Sequence, residues 1–455
     1  MENRALRIGF VSLGCPKNQL DTEVMLGHVV NAGYEVTPDE TEADIVIINT
    51  CAFIGDAKKE SIDNILDIAW LKENNNLRGI IVTGCLAERY RDEVMREMPE
   101  VDAVLGTGSI HNIIEAIRAV RRKEKYSSFE DKNEVALGGD RIVTTGDAMA
   151  YLKIAEGCDN RCTYCAIPSI RGKFRSRPMD DIITEARELV EGIGIKELVV
   201  VAQDTTAYGI DLYGRYALPE LLRRLANETD VEWLRVLYCY PDKITDELIR
   251  EFNENPKLVK YIDLPIQHIS SKILKRMNRR GDGALVRDVI SKLRTHIEGI
   301  SIRSTAIVGF PGETDEDFEE LCAFIKEARF EHFGAFTYSR EEGTPAHDFA
   351  DQIDDQIKQD RYDIIMEHQL GIVEEMQQNR IGEKISVLIE AYDPVSEAYY
   401  GHSDKDAPDI DGKVFVQAKK GTLSEGDIVT VEVMEALEYD LIASVVDGGA
   451  LRRNS

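Results

Sequence analysis

Eight cysteines stand in this chain of 455 residues, and six of them fall into two groups of three whose placement could hold metal. The tighter group lies in Gly157-Cys158-Asp159-Asn160-Arg161-Cys162-Thr163-Tyr164-Cys165. Cluster irons are held by thiolates, normally four per cluster, so three thiolates cover three irons of a four-iron cluster and leave the fourth open for chemistry. A structural zinc site with a distant fourth ligand is the competing reading of short cysteine spacings. The flanks weigh against zinc, because a strand-like run, Tyr151 to Ala155, leads straight into the motif, and zinc knuckles usually come in pairs.

The second group is Cys15, Cys51 and Cys85, each within a few residues of the carboxyl end of a predicted strand. In an open parallel sheet those ends converge on one edge, where ligands bind. A buried structural thiol is the ordinary reading for any one cysteine. Three at equivalent strand ends point to a shared role. Cys239, in a strand-like run, and Cys322, inside a helical pattern, are read as structural.

The elements that must position these thiols follow from periodicity. Over residues 1–121, apolar runs at Leu6 to Val11, Asp44 to Ile48, Gly79 to Val82 and Val101 to Leu105 alternate with helical stretches such as Asp56 to Leu71. This predicts an α/β, doubly wound parallel sheet. Residues 122–147 read as a polar, Gly-rich linker with room for a hairpin. A second βα series over 148–345 has candidate strands at 150–155, 197–202, 233–238, 261–265, 302–308 and 333–338. Six repeats are too few for a closed eight-stranded barrel, which predicts an open, partial (β/α)6 barrel resembling a TIM barrel, with its site at the strands' carboxyl ends. Residues 346–380 look helical and charged. The tail, 381–447, carries short alternating runs between Gly and Asp turns, as a small antiparallel β-barrel would.

Composition sets bounds on the function. With 43% hydrophobic residues the chain can bury cores, and its length calls for several domains. No signal peptide or long apolar segment is seen, so no membrane role and a reducing cytoplasm are expected, with free thiols in place of disulfides. The formal net charge of −28 argues against nucleic acid as a general partner and for a basic protein.

The Cys-x3-Cys-x2-Cys spacing resembles that of the radical S-adenosylmethionine enzymes. With both triads, the whole chain resembles the MiaB/RimO family of methylthiotransferases. Gly14-Cys15-Pro16-Lys17-Asn18 followed by Asp21, and Gly157 to Pro168 followed by Ile170-Arg171-Gly172-Lys173-Phe174-Arg175-Ser176-Arg177, look closer to the RimO branch, which modifies a ribosomal protein, than to the MiaB branch, which modifies tRNA. The resemblance implies a cluster domain, a radical SAM barrel and a terminal barrel like the TRAM domain. It implies two 4Fe-4S clusters and S-adenosyl-L-methionine as cofactors. Cys158, Cys162 and Cys165 would hold the cluster that cleaves the cofactor, and Cys15, Cys51 and Cys85 an auxiliary cluster that carries sulfur. The implied partners are small-subunit ribosomal protein twelve, methylthiolated at the β carbon of an aspartate, a cellular electron donor, and a source of sulfide or polysulfide.

Other contacts are read from position. Gln203 and Asp204 follow the second barrel strand, and Arg303, Ser304 and Thr305 lie in the fifth, before Gly309, as strand-end residues for the cofactor. An ordinary turn and helix start competes at Gly312-Glu313-Thr314-Asp315. Arg171, Arg175 and Arg177 could meet a cofactor or substrate carboxylate through a planar fork, or lie in a solvated loop. From Arg380 to Asp447 there are six Lys or Arg against fifteen Asp or Glu, a net of −9. An RNA-binding barrel would be basic, whereas an acidic one suits a basic protein. Asp404, Asp406, Asp409 and Asp411 are its candidate substrate contacts, with solvated turn residues as the alternative. A tRNA methylthiotransferase, a cobalamin-dependent radical enzyme and a non-catalytic iron sensor are the competing functions. None of the eight histidines has Asp two residues before it, as a cobalamin ligand motif needs.

Overall fold

A computed structural model describes residues 6–75 and 77–446. The opening residues 1–5 and Asp447, the expected end of the terminal barrel, lie outside the described residues. The chain divides into two compact units. One takes its described residues from 1–144, 155–175 and 339–347. The other takes them from 145–154, 176–338 and 348–446.

The first unit is built on a six-stranded, wholly parallel sheet in the order β2-β1-β3-β4-β5-β6. Its strands are β1 (Arg7–Ser12), β2 (Glu35–Thr37), β3 (Ile45–Thr50), β4 (Gly79–Gly84), β5 (Ala103–Leu105) and β6 (Tyr126–Ser128). Side chains alternate across a strand, and the sequence of β3 uses both faces. Val46 and Ile48 enter one core with Ile65, Ile68 and Val82, while Ile45 and Ile47 enter a second with Met25, Val29, Ile81 and Ile117. Strands buried on both faces read as continuous apolar runs, which is why β3 and β4 were legible. The two sheet-edge strands, β2 and β6, are three residues each and mostly polar, and β6 falls inside the segment read as a linker.

The second unit contains an open sheet of six parallel strands, ordered β14-β13-β12-β11-β10-β7. These are β7 (Met149–Lys153), β10 (Glu197–Val201), β11 (Trp233–Val236), β12 (Leu258–Asp263), β13 (Ser301–Val308) and β14 (His332–Thr337). Two-residue strands β8 (Ala155–Glu156) and β9 (Arg175–Ser176) flank the cysteine loop. The expected partial barrel is thus present, with helices such as Leu218–Glu228, Asp246–Glu254 and Asp315–Ala328 between strands. A capping box at Thr314 and Asp317 starts the last of these.

A 24-residue helix, Asp355–Gln378, leads to a closed five-stranded barrel, β15-β16-β17-β19-β18. Its strands are β15 (Lys384–Asp393), β16 (Ala398–Ser403), β17 (Val414–Gln417), β18 (Ile428–Ala436) and β19 (Leu441–Val445). The expected small antiparallel barrel is present, with one seam, between β17 and β19, that pairs parallel. Closure removes sheet edges, and Val387, Ile389, Val416, Val431 and Ala443 fill the interior. Among the described residues no helix is long and apolar enough to cross a membrane.

Candidate functional site

Strands β1, β3 and β4 are neighbours, and their carboxyl ends deliver Cys15, Cys51 and Cys85 to one edge of the first unit. Cys15 is the N-cap of helix Pro16–Asn31, and Cys85 opens helix Cys85–Tyr90. Two glycines make room. Gly14 has φ +92°, and a Cβ there would lie 2.8 Å from the Cβ and 3.0 Å from the Sγ of Cys51. Gly84 has φ +90°, and its Cβ would meet Asn49 Oδ1 at 2.3 Å. Both positions therefore demand glycine for conformation and for space. Asn18 ties the edge together by donating to Leu13 O at 2.6 Å, while Asn49 Nδ2 donates to Asn18 O at 2.7 Å. The Cys51 N–H donates to Ser61 Oγ at 3.0 Å. Burial pushes the Cys51 thiol up, and the Cys85 thiol up to about 12, with the nearby Arg171 guanidinium acting the other way. Each of these thiols also feels Cys15, so the three lie within electrostatic reach of one another.

The other triad sits in the same compact unit. Cys158 and Cys162 are buried and Cys165 partly so. Gly157 has φ +80°, and a Cβ on it would lie 2.1 Å from the carbonyl oxygen of Lys173. The loop is closed by the Cys158 N–H donating to Gly172 O at 3.2 Å and by Asp159 accepting from the Phe174 N–H at 3.3 Å. Asn160 Nδ2 donates to Cys158 Sγ at 3.3 Å. Arg161 takes φ +51°, an uncommon conformation for a non-glycine residue. Behind the triad runs the short helix Ile167–Arg171, whose Ile170 packs into the core beside β3 and β4 and whose Ile170 carbonyl accepts from Thr107 Oγ1 at 2.8 Å.

The sequence leaves Arg171 to a cofactor or substrate carboxylate or to a solvated loop, and its burial rules out the loop. Arg171 is 4% exposed and points at the strand-end triad, donating to Asp21, to Asn18 Oδ1 at 3.0 Å and to Cys85 Sγ at 3.5 Å. Arg175 donates to the carbonyls of Val135 and Lys132, both at 2.6 Å. Arg177 donates to Lys153 O at 2.7 Å and pairs with Glu185. The missed signal lay in Ile170-Arg171, an apolar residue and an arginine at the end of a helix that docks on the first sheet.

Among the described residues no group of three or more His, Cys, Asp or Glu is placed to hold one metal ion. The thiols are sheltered, and Gly14 and Gly84 leave the strand-end edge free of extra side chains. Cys239 and Cys322 are buried in the second unit with their thiols pushed up by desolvation, in keeping with structural roles.

In the second unit, the residues expected at the cofactor separate into different roles. Gln203 lies two residues beyond the end of β10. Asp204 caps the turn Thr205–Ala207 and pairs with buried Lys243. Ser304 is fully buried and donates to Leu264 O at 2.9 Å. Thr305 lies mid-strand in β13, and Gly309 is covered by Lys358, whose Cγ would be 2.3 Å from a Cβ there. Arg303, third residue of β13, bridges Asp263 Oδ1 and Asp411 Oδ1, each at 3.2 Å.

That bridge also draws Asp411, one of the candidate substrate contacts, into the second unit. The loop between β16 and β17 turns inward against residues of β10 to β14. Asp411 accepts from Tyr261 Oη at 2.6 Å as well as from Arg303, and Asp406 is 3% exposed, bonded to Ser403 and 3.4 Å from His332. The Asp404 and Ser403 carbonyls each accept from fully buried Arg235 at 3.1 Å. Only Asp409 is exposed. From sequence these acids read as substrate contacts or solvated turn residues, because nothing local marks their distant partners. Arg235 in turn holds Glu197 at 2.6 Å, and Glu197 bonds His402, which also meets Glu390 at 2.6 Å.

Comparison with known proteins agrees with this architecture. Residues 7–106 match the uncharacterized protein family UPF0004, residues 152–325 the radical SAM superfamily, and residues 381–446 the TRAM domain. Three similar proteins are each called ribosomal protein uS12 methylthiotransferase RimO. That of Lachnoclostridium phytofermentans is 49% identical, with 96% of this chain and 100% of that one covered. Those of Caldanaerobacter subterraneus subsp. tengcongensis and Geobacter sulfurreducens are 50% and 47% identical, covering 96% and 98% of this chain and 99% and 100% of theirs. Among solved structures, the radical S-adenosylmethionine methyltransferase TsrM of Kitasatospora setae, with cobalamin and a [4Fe-4S] cluster bound, shares the fold at a TM-score of 0.55 and 13% identity, over 75% of this chain and 74% of that one. The chain belongs to the RimO family of radical SAM methylthiotransferases.

Proposed function

We propose that the chain inserts a methylthio group at the β carbon of an aspartate in ribosomal protein uS12. The observation that carries this reading is the gathering of two cysteine triads in one compact unit, with Arg171, six residues beyond Cys165, reaching Cys85. When bound, a three-thiolate cluster with S-adenosylmethionine supplies a radical able to take hydrogen from an unactivated carbon, and a second cluster supplies sulfur. General bases, which contribute about two to four powers of ten, could not activate such a carbon.

The chain's own residues then hold, orient and shield. Cys158, Cys162 and Cys165 are the ligands assigned to cofactor cleavage, with Asn160 donating to the first sulfur. Cys15, Cys51 and Cys85 are assigned to the sulfur-bearing centre, on an edge kept clear by Gly14 and Gly84. Gln203, at a strand end, is assigned to the cofactor. The negative charge of the chain supports a basic protein substrate by complementary potential, and free thiols support a reducing, cytoplasmic setting. An electron donor and a sulfide or polysulfide source complete the reaction.

The test offers reduced, cluster-loaded protein, S-adenosylmethionine and sulfide to purified uS12 and, separately, to bulk tRNA, and weighs the products by mass spectrometry. A methylthio increment on uS12 alone is expected. An increment on tRNA alone would replace the substrate assignment, and 5′-deoxyadenosine with neither product would refute both substrates while keeping the radical chemistry.

A further inference from the structure

We propose that Arg171 is a positioning residue that sets the reduction potential of the centre at Cys15, Cys51 and Cys85, and that Asp21 is its counterweight. The inference rests on reading those three thiols as cluster ligands. Arg171 reaches them from outside their own sheet, on the helix that trails the other triad, and that helix is fixed by Ile170 in the core and by the Thr107 bond. Its guanidinium is 4% exposed and splits its donors: one nitrogen meets Asp21 and lies 3.7 Å from Glu156, the other meets Asn18 Oδ1 and Cys85 Sγ. A planar, permanently charged fork can do this, whereas an ammonium cannot.

Burying a cation is costly without partners, yet one of the places this one is spent is a sulfur that has no need of a hydrogen bond for folding. The chemistry of the sulfur supplies the reason. Hydrogen bonds to ligand sulfurs and local net charge are among the protein's main controls over cluster potential. One-electron reduction adds a negative charge to the centre without making or breaking a protein bond. A cation touching a ligand sulfur favours the reduced form and raises the potential, and the carboxylate of Asp21 partly cancels that field while holding the guanidinium in place.

Opposite signs make the test specific. In full-length protein carrying Cys158→Ala, Cys162→Ala and Cys165→Ala, one centre remains, and it can be titrated with dithionite and mediators while its reduced spin signal is followed. Arg171→Gln is expected to move the midpoint to a more negative value, and Asp21→Asn, which keeps a carbonyl acceptor for Arg171, to a more positive one. Arg171→Lys keeps the charge and loses the fork, so its midpoint should lie between those of the unchanged background and Arg171→Gln. If Arg171→Gln prevents assembly, the lysine and Asp21→Asn variants carry the comparison. Midpoints that stay put, or that move in the same direction in Asp21→Asn and the Arg171 variants, would assign Arg171 to structure alone and overturn the proposal. Absence of iron from the triple-alanine background would show that the strand-end cysteines are not ligands, defeating the underlying reading as well.

Discussion

Replacing His402 with Gln should remove a pH-dependent lock between the terminal barrel and the strands it packs against. His402 is 2% exposed and lies between Glu197 of β10 and Glu390 of β15, with Arg235 of β11 and Asp409 also within its field. Burial pulls its proton affinity down, but the two glutamates more than reverse this, carrying the imidazole from its ordinary 6.5 to about 9. At about 1.4 kcal/mol for each tenfold change in proton affinity, that rise corresponds to about 3 kcal/mol. Because the folded value lies above the unfolded one, the contribution is complete below pH 6.5 and disappears as pH rises through 9. Glu197 is shifted the opposite way, its charged form penalised by burial but held below the usual carboxylate range by Arg235 and His402, so its share is lost in acid. The assay is built into the fold, since the Trp233 ring lies edge-on to His402 with centroids 6.0 Å apart. The chain has two tryptophans, and the other, Trp70, is 62% exposed. In a Trp70→Phe background, Trp233 emission should change with a midpoint near pH 9, and the step should vanish in His402→Gln. Urea unfolding followed by the same emission should show the variant weakened by about 3 kcal/mol at pH 6 and little changed at pH 10. A midpoint near 6.5, or an equal loss at both pH values, would refute the argument.

Three other substitutions probe the sites. Cys158→Ala should abolish 5′-deoxyadenosine formation, whereas Cys51→Ala should retain it and lose methylthio transfer; methylthiolated product from Cys51→Ala would remove that residue from the ligand set. Gly157→Ala must place a methyl 2.1 Å from Lys173 O at φ +80°, so the loop has to shift, at a cost of about 2 kcal/mol or more; iron content of the radical triad should fall, and full loading would contradict the steric reading. Asp411→Ala strips Arg303 of one carboxylate and Tyr261 of its acceptor, which at a buried pair costs about 3 kcal/mol; an unchanged unfolding midpoint would show that the loop is not locked there.

Sequence alone reached the layers of the fold because central strands such as β3, β4 and β10 are fully buried. Ile45 to Ile48 and Leu198 to Val201 offer no polar face that could be confused with a helix. It also placed Cys15, Cys51 and Cys85 at neighbouring strand ends, since strand order converts distant positions into one edge. It failed where partners lie far apart in the chain. Arg171 meets Asp21 across 150 positions, Arg303 meets Asp411 across 108, and His402 meets Glu197 across 205. Charged residues in Asp- and Gly-rich turns look solvated until the fold brings a counter-ion to them, so the sequence offers the acids of the terminal barrel only as substrate contacts or solvated turn residues. The polar edge strand Tyr126–Ser128 was missed for a related reason, because only its hydrogen bonds to β5 make it a strand.

The inward turn of the β16–β17 loop bears on how this tail can be exchanged among relatives. A graft that brought in a foreign terminal barrel would leave Arg235 without the Ser403 and Asp404 carbonyls and Glu197 without His402. Its host would inherit stranded charges in the middle of its own interior. Productive chimeras should therefore require Glu197, Arg235, Tyr261 and Arg303 to travel with the tail, and descent should have kept the two stretches of sequence in step.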